Sequence, residues 1–541
     1  MKGLASLLLA FAIVAVPARA TERRPNFLVI VADDLGYSDI GAFGGEIRTP
    51  NLDRLALAGI RLAGFHTAPT CSPARSMLLS GTDNHIAGLG TMAEMIRPNQ
   101  KGKRGYEGYL RSDVATLAER LVTGGYSTLF SGKWHLGLTP EQDPHARGFQ
   151  RSFALLQGGH NHFGIDVGTT ATYTEQGKPL TALPADFYSS DYFATRLIDF
   201  LGERAGQGAE RPFFAYLAFT APHWPLQAHP QDIARYAGRY DDGFDVLRDR
   251  RLARQRELGI LSPDVVPHTL RNRDGSWDSL TAEQQRVSAR DMEIYAAMVD
   301  RMDQNIGRVI EALRASGELD NTVILFLADN GAEALDVETT GAEMLAARLK
   351  GADNRFDNRG AASSYITYGA GWAQAATAPS WLTKGYQSEG GTRAVAFVSG
   401  AGIPRRKGAE AQFLSVADVA PTLLELAGVN PAETNVGGRA VRPITGRSWL
   451  TWLHNPEAKV YSHTDGFGSE LFGSRAYRQG NWKLTDVGDG VWRLFHIAHD
   501  PGETRDLSLL EPARSEALAE AWLRYARQVG VIAPDSIPYR P

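Results

Sequence analysis

The sequence predicts an α/β fold in which a large, mostly parallel sheet is flanked by helices and a smaller C-terminal α+β region contains an antiparallel sheet. Short apolar runs rich in β-branched and aromatic residues alternate with helical patterns up to residue 455, which is typical of parallel α/β architecture. From residue 456 polar and apolar residues alternate between Gly and Asp punctuation, as in an antiparallel meander. We therefore expect a main α/β domain over residues 21–455 and a C-terminal α+β subdomain over residues 456–541.

Four apolar runs in the main domain predict strands, and each run ends at a cluster of polar residues. Their continuous apolar character predicts strands that are buried on both faces of the sheet. Ligands of open α/β sheets bind beyond the carboxyl ends of the strands, so four such clusters predict one shared crevice. The runs and clusters are 26–32 before Asp33-Asp34, 126–131 before Gly132-Lys133-Trp134-His135, 213–220 before Ala221-Pro222-His223, and 322–328 before Asp329-Asn330-Gly331.

Apolar residues at spacings of three and four predict two amphipathic helices. The first runs from Met292 to Leu313 and leads into the strand at 322–328, which makes a helix–strand unit. The second runs from Leu518 to Val529 and presents one apolar face to the rest of the chain. Between the main elements, residues 226–278 are polar and Arg-rich, and they predict an irregular insertion over the crevice.

The N-terminus predicts export. Lys2 precedes an uncharged apolar run at residues 4–16, and Ala18-Arg19-Ala20 has the small-x-small pattern of a cleavage site. We expect residues 1–20 to be a signal peptide that is cleaved after Ala20, and the protein to be periplasmic or secreted. The run is shorter than the roughly 20 apolar residues that cross a bilayer, so we expect no membrane partner.

The composition is that of an ordinary globular protein. The 541 residues are 43% hydrophobic and 22% charged, and the formal net charge is −4. The chain has no basic stripe and no low-complexity tract, which argues against a nucleic-acid partner.

Cys71 is the only cysteine of the chain. Exported compartments are oxidising, and one cysteine cannot form an internal disulfide. Composition alone leaves two interpretations open, an intermolecular disulfide or a buried Cys that packs as a small hydrophobic residue, and it favours the second.

The acidic clusters at two strand ends predict a site for a hard cation. Asp33, Asp34, Asp329 and Asn330 offer only oxygen ligands, which suit Ca²⁺ or Mg²⁺ better than zinc. The alternative is helix N-capping, a common role of Asp and Asn after a strand. Three carboxylates in one crevice repel one another unless a cation neutralises them, and this favours the metal.

Basic and switchable side chains follow the same strand ends. Lys133, His135, His223 and Lys384 would join Arg75 near the cysteine. Together with a divalent cation they outweigh the three carboxylates, so the crevice is expected to bind an anion. Taken one at a time, each could equally be a solvated surface charge or a satisfied polar residue.

Two long motifs resemble the signatures of the type I sulfatases, formylglycine-dependent enzymes of the alkaline phosphatase superfamily. Residues 69–81, which contain Cys71-Ser72-Pro73-Ala74-Arg75, resemble the first signature, although the family usually has Thr, Ala or Arg where Ser80 stands. Residues 125–135 resemble the second signature throughout. The strand-end clusters follow in family order, so the resemblance covers residues 25–510, and it is strongest to bacterial arylsulfatases.

The resemblance implies a chemical fate for the lone cysteine. In the family this residue is converted to Cα-formylglycine by a formylglycine-generating enzyme that reads the Cys-x-Pro-x-Arg segment. The resemblance also implies one bound divalent cation, with Ca²⁺ favoured and Mg²⁺ as the alternative. Its ligands would be oxygens of residue 71 and of Asp33, Asp34, Asp329 and Asn330.

The resemblance further implies hydrolysis of a sulfate monoester of a small molecule or a saccharide. The hydrated aldehyde would attack sulfur, form a covalent sulfo-enzyme and release sulfate by hemiacetal elimination. Arg75 and Lys133 would hold the diol, and His135 would be the base of the elimination. His223 and Lys384 would bind sulfate oxygens and assist the leaving group.

Two other functions stay open from the sequence. A formylglycine-dependent phosphonate monoester or phosphodiester hydrolase would share the nucleophile and the oxygen-rich metal site, whereas zinc phosphatases are disfavoured because Asn330 stands where they need His. A non-catalytic sulfate- or glycan-binding homologue is the second alternative. The natural ester is not assigned, and His85, His160 and His162 receive no role.

Overall fold

The computed structural model describes residues 23–166, 170–206, 211–269, 275–339, 346 and 348–536. The predicted signal peptide at residues 1–20 lies outside this part of the chain. Within the described ranges, no helix is both long enough and apolar enough to span a membrane.

The described strands form one large sheet, one four-stranded sheet and two small two-stranded pairs. In chain order they are β1 Asn26–Ala32, β2 Ile60–Leu62, β3 Phe65–His66, β4 Ser127–Lys133, β5 Arg151–Leu155, β6 Tyr173–Glu175, β7 Lys178–Pro179, β8 Phe213–Ala218, β9 Thr322–Ala328, β10 Ala396–Gly400, β11 Ala409–Glu410, β12 Leu414–Ser415, β13 Asn435–Val436, β14 Arg439–Ala440, β15 Gly466–Leu471, β16 Ser474–Gln479, β17 Trp482–Asp486 and β18 Arg493–His496.

The described α-helices connect these strands and cover the sheet. They are α1 Pro50–Ala58, α2 Cys71–Ser80, α3 Asn84–Ala87, α4 Leu117–Thr123, α5 Ser189–Gly206, α6 Pro230–Ala234, α7 Gly243–Glu257, α8 Ala282–Ala315, α9 Gly369–Ala376, α10 Glu389–Thr392, α11 Val419–Leu426, α12 Leu450–His454 and α13 Pro512–Val529.

The large sheet has the order β11-β2-β10-β9-β1-β8-β4-β5-β6-β7 among the described residues. Its centre, β9-β1-β8-β4-β5, is parallel, whereas β10 runs antiparallel to β9 and β6 antiparallel to β5. Strands β1, β8 and β9 are buried along their whole length, as continuous apolar runs require. The predicted α/β fold with a large, mostly parallel sheet is confirmed.

The register of the central strands brings the polar clusters together. Ala32 at the end of β1 pairs with Ala328 at the end of β9, so the acidic residues that follow them become neighbours. Strand β4 extends two residues beyond the predicted run and ends at Lys133. All three strands run parallel, and their carboxyl ends therefore deliver their polar residues to one edge of the sheet.

The crossover helix α8 contains the predicted helix and begins earlier. Thr281 caps it, because the Thr281 hydroxyl accepts from Gln284 N and the Gln284 side chain accepts from Thr281 N. The residues before Met292 are mostly polar, so apolar spacing alone did not reveal this first part of the helix.

The prediction of an irregular insertion at residues 226–278 is wrong, because α6 and α7 lie within it. Helix α7 has no clear apolar stripe. It is held by a few buried apolar residues such as Phe244, which packs against Trp372, and by buried Arg251, which binds Asp39 at 2.5 Å and Glu46 at 2.8 Å. Such distant ion pairs have no local sequence signal.

The C-terminal region contains the predicted antiparallel sheet and helix. Strands β15 to β18 form a four-stranded antiparallel meander, and α13 packs on it through buried Leu518 and Trp522. The Trp522 indole donates a hydrogen bond to Ser469 O at 3.0 Å. The domain boundary at residue 456 stays a prediction.

Candidate active site

Cys71 lies at the first position of α2, at the carboxyl edge of the large sheet. Its Sγ lies 3.2 Å from Asp33 Oδ1 and 3.8 Å from Asp34 Oδ1, and the side chain is buried. Burial, together with the charges of Asp329 and Asp33, raises the pKa of the Cys71 thiol well above its ordinary value. The unmodified side chain is therefore a neutral thiol in this setting and a poor nucleophile.

Arg75, one turn further along α2, connects Cys71 to two strand ends. Its Nε and Nη2 lie 2.9 and 2.8 Å from Asp329 Oδ2, and its Nη1 donates to Lys133 O at 2.9 Å. Burial would lower the pKa of the guanidinium, but Asp329 and Asp33 outweigh burial and raise it. The side chain is fully buried and stays charged.

The two other basic residues each bind one of the paired aspartates. Lys133 Nζ lies 2.6 Å from Asp33 Oδ2, and Lys384 Nζ lies 2.8 Å from Asp34 Oδ2. Burial would raise the pKa of Asp34, but Lys384 and His223 lower it below the ordinary value. Asp34 has φ +66, a left-handed conformation that costs a non-glycine residue energy and is typical of functional sites.

A divalent cation fits the chemistry of these donors. One ligand atom each from Asp33, Asp34, Cys71 and His223 lies within 4.8 Å of the others, and all four residues are buried. Asn330 donates from Nδ2 to Asp34 Oδ1 at 2.6 Å, and within the described residues its buried Oδ1 has no hydrogen-bond partner. An oxygen-rich cluster with an unsatisfied amide oxygen suits a hard cation.

Asp329 is the predicted carboxylate ligand that lies outside this group of four residues. Its Oδ2 accepts from Arg75, and its Oδ1 accepts from Asp34 N at 3.3 Å. Burial and repulsion by Asp33 raise the pKa of Asp329 above its ordinary value. Both oxygens of Asp329 are thus engaged, as are those of Asp34, which accept from Asn330 and Lys384.

His223 lies on the Asp34 side of the site. Its Nε2 is 3.6 Å from Asp34 Oδ2, and its Nδ1 is 2.5 Å from Trp224 O. Burial, reinforced by the charge of Lys384, lowers the pKa of His223 well below its ordinary value. The backbone at this point is held by His162, whose Nε2 lies 2.9 Å from His223 O.

His135 follows Lys133 by two residues. Its Nε2 lies 3.2 and 3.4 Å from the two carboxylate oxygens of Glu94. The ring lies against Gly158, where an added Cβ would be 2.5 Å from His135 Cε1, and the neighbouring Gly159 lies beside His223. The rings of His135 and His223 therefore lie against the same short backbone segment, residues 158 and 159.

The structure places Cys71 and the predicted basic residues Arg75, Lys133, Lys384 and His223 around the strand-end aspartates, whereas His135 lies against Gly158 and Glu94. Two residues near these side chains were missed by the sequence analysis. Glu333 binds Lys384 Nζ at 3.2 Å and could have been suspected, since it follows Asp329 by four residues. Glu94 binds His135 but lies 41 residues before it, and no local pattern marks it.

Two of the unassigned histidines bind partners of their own. His85 lies between Asp83 at 3.3 Å and Glu470 at 3.1 Å, a buried contact with the C-terminal sheet. His160 binds Tyr173 and Asp166.

Carboxylates and basic side chains gathered beyond the ends of parallel strands define the site of an α/β protein that can bind a cation and an anionic ligand side by side. Comparisons with known proteins define it further. Residues 25–429 match the family model for sulfatases. An uncharacterized sulfatase of Schizosaccharomyces pombe is 48% identical over 545 residues, which cover 96% of this chain and 97% of the relative.

A second relative and a solved structure are also similar to this chain. An arylsulfatase of Klebsiella aerogenes is 42% identical over 437 residues, which cover 79% of this chain and 92% of the relative. The crystal structure of Ps i-CgsB is similar with a TM-score of 0.67 at 24% identity, over 95% of each chain. The chain belongs to the sulfatase family and is a sulfuric ester hydrolase, which confirms the resemblance of its two motifs.

Proposed function

We propose that the protein hydrolyses sulfate monoesters of the arylsulfatase type to an alcohol or phenol and inorganic sulfate, with residue 71 as the nucleophile. The observation that carries the proposal is the place of Cys71. It lies at the start of α2 against Asp33 and Asp34, and Arg75, Lys133 and Lys384 surround these carboxylates. The position of the nucleophile therefore lies next to the cationic groups that can bind an anionic ester.

The proposed nucleophile is Cα-formylglycine, made from Cys71 by a formylglycine-generating enzyme. The hydrated aldehyde supplies two hydroxyls on one carbon, one to take the sulfuryl group from the ester and one to expel it as sulfate. A free thiol in this buried, acidic setting would stay protonated and offers no such route.

The basic side chains orient the anion and the nucleophile. Arg75 lies on α2, one turn after residue 71, and Lys133 ends β4. Arg75 donates to Lys133 O, and the two side chains together hold residue 71 in place. Lys384 and His223, on the Asp34 side, bind sulfate oxygens and stabilise the charge that develops on the leaving oxygen. Fixed charges of this kind act most strongly on a transition state whose charge is spread over several oxygens.

We propose that the oxygens of Asp33, Asp34, Asp329, Asn330 and residue 71 hold one divalent cation, with Ca²⁺ favoured over Mg²⁺. When bound, it makes a hydroxyl of residue 71 more acidic and polarises a sulfate oxygen. The unsatisfied Asn330 Oδ1 supports this assignment.

His135 is the proposed base for the second half of the reaction. It takes the proton of the remaining hydroxyl of residue 71, the carbonyl re-forms, and sulfate leaves with the electron pair of the broken carbon–oxygen bond. Water need not attack sulfur in this scheme, and hydration of the aldehyde restores the enzyme.

Replacement of the nucleophile tests the proposal. Cys71→Ser keeps one hydroxyl for the attack but has none for the elimination, so a sulfate adduct should form on the peptide with residues 71–75 and persist. Mass spectrometry of that peptide, after incubation with p-nitrophenyl sulfate, measures the adduct. Steady multiple turnover by the variant would refute the elimination step, and an intact thiol in fully active wild-type protein would refute the nucleophile.

A formylglycine-dependent phosphonate monoester or phosphodiester hydrolase is the alternative, because the same groups would hold a phosphonate. Rates on an aryl sulfate and an aryl phosphonate, measured with one preparation, separate the two, and a large preference for phosphonate would overturn our proposal. A non-catalytic sulfate- or glycan-binding homologue would bind both esters and turn over neither. A panel of aryl, alkyl, steroid and carbohydrate sulfates then identifies the ester.

We further propose that the protein is exported to the periplasm or secreted, and that a C-terminal subdomain begins near residue 456. The first proposal rests on Lys2, the apolar run and Ala18-Arg19-Ala20. N-terminal sequencing of the exported protein should begin at Thr21. Limited proteolysis near residue 456 tests the second.

A further inference from the structure

We propose that Glu94 is a positioning residue that selects one tautomer of His135 and thereby makes His135 Nδ1 the basic atom in sulfate release. The inference rests on the proposed function, in which His135 is the base. It adds a residue outside both sulfatase motifs of the sequence.

The contact between the two side chains determines the tautomer. Glu94 is the middle residue of a short 3-10 turn, Ala93–Met95, and its two carboxylate oxygens lie 3.2 and 3.4 Å from His135 Nε2. A carboxylate can only accept hydrogen bonds, so Nε2 must carry a proton. In the neutral imidazole the lone pair is then on Nδ1.

The charge state of Glu94 supports this assignment. The Glu94 side chain is half-exposed, and partial loss of solvent would raise its pKa, but His135 outweighs this effect, with Lys133 contributing, and the pKa falls to about 2. Glu94 is therefore a carboxylate at neutral pH. It also stabilises the imidazolium that forms when Nδ1 takes a proton, as the buried Asp of a catalytic triad does.

The other ring nitrogen is left available for chemistry. His135 Nδ1 is buried, and no hydrogen-bond partner meets it within the described ranges of the chain. A buried acceptor without a partner costs free energy, and such atoms in native proteins call for a functional explanation. Proton transfer from a hydroxyl of residue 71 is one that the proposed reaction supplies.

The ring is fixed in place by its surroundings as well as by Glu94. His135 has φ +57, its N–H donates to Leu156 O at 3.2 Å, and its ring lies against Gly158. Gly159, the next residue, lies beside His223, which contacts Asp34. The ring of His135 thus lies against residues 158 and 159, the backbone segment that also borders His223.

The proposed step balances in protons and electrons. The hydroxyl proton of sulfated residue 71 moves to Nδ1, and the O–H electron pair forms the carbonyl. The bond between the carbon and the ester oxygen breaks, and sulfate leaves with that pair. The imidazolium, paired with Glu94, then returns its proton to solvent, which reaches the half-exposed Glu94 side chain.

The experiment compares Glu94→Ala, Glu94→Gln and wild type, with Glu516→Ala on the exposed face of α13 as the control. With p-nitrophenyl sulfate we expect Glu94→Ala to lower kcat by about 10- to 100-fold, the range found when the hydrogen-bond partner of a metal-bound imidazole is removed. We expect KM to fall together with kcat and kcat/KM to change less than about twofold, because the step affected follows sulfuryl transfer. Glu94→Gln should fall between, since its amide oxygen can still accept from Nε2.

Three readouts separate positioning from general damage. Sulfate should accumulate on the residue 71 peptide of Glu94→Ala during turnover. In the His135→Ala background, Glu94→Ala should have no further effect on kcat. Histidine ¹⁵N shifts, recorded on protein with Cys71 unmodified, should show Nε2–H for His135 in wild type and a mixture of tautomers in Glu94→Ala.

The outcomes are distinct for the inference and for the proposed function. If wild type is active and Glu94→Ala retains its kcat within twofold, or if the His135 tautomer is unchanged, the inference is refuted. If wild type does not hydrolyse the aryl sulfate, the proposed function fails, and the ¹⁵N shifts still decide whether Glu94 sets the tautomer.

Discussion

Gly158 gives a direct test of how closely the His135 ring must be placed. An added Cβ at Gly158 would lie 2.5 Å from His135 Cε1, 2.7 Å from Nε2 and 3.0 Å from Nδ1. Carbon atoms in contact prefer about 3.5 to 4.0 Å, so the ring of a Gly158→Ala variant must move by about 1 Å. A displacement of this size can cost about 100-fold in rate, and we expect that loss in kcat.

The neighbouring glycine provides the matched control. At Gly159 an added Cβ would lie 3.4 Å from His223 Cε1, an ordinary contact, so Gly159→Ala should keep kcat within about twofold. Neither glycine has a left-handed φ, and backbone strain therefore does not separate the two variants. Both substitutions add a single methyl group at adjacent positions.

The assay is steady-state turnover of p-nitrophenyl sulfate, with thermal unfolding midpoints to confirm that both variants fold. Sulfate bound to the residue 71 peptide should increase in Gly158→Ala alone. The reasoning is refuted if Gly158→Ala keeps wild-type kcat, or if Gly159→Ala loses as much activity as Gly158→Ala does.

Two more predictions concern stability and the cation. Burial would lower the pKa of His85, but Asp83 and Glu470 raise it to about 9. The protonated form of His85 therefore stabilises the folded protein, by at most about 3 kcal/mol. This contribution is fully present below about pH 6.5 and is lost as the pH rises to 9. The unfolding midpoint of wild type should therefore fall more steeply over pH 6.5 to 9 than that of Glu470→Gln, and parallel curves would contradict the role of His85. Chelation should abolish turnover but preserve the circular dichroism spectrum, because each of the three site aspartates has a buried basic partner, and Ca²⁺ should restore turnover better than Mg²⁺. Full turnover in protein shown by elemental analysis to lack divalent metal would exclude the cation.

The parts of the fold that could be predicted are those with local signals. Continuous apolar runs marked β1 and β9 at their observed bounds, because a strand buried on both faces has no polar positions. Helix α7 was missed because apolar residues are few on its buried face, where Arg251 binds Asp39 and Glu46, more than 200 residues away. Its sequence pattern contains no trace of those partners.

The same division holds within the site. Residues that follow strands, such as Asp33, Lys133 and Asp329, were predicted to converge, because parallel strands end at one edge. Glu94 and Gly158 come from loops, and their contacts with His135 depend on how those loops return to the sheet. No spacing rule connects residue 94 to residue 135.

This division implies two kinds of mutational effect. Lys133 and Arg75 bind buried carboxylates, and removing one partner of a buried ion pair leaves an uncompensated charge, so such changes disturb folding and catalysis together. Glu94 and Gly158 contact the ring of His135, and changes there should slow one step while the fold persists. Variants at these two loop positions therefore isolate the release of sulfate from its transfer, which substitutions among the strand-end charges cannot do.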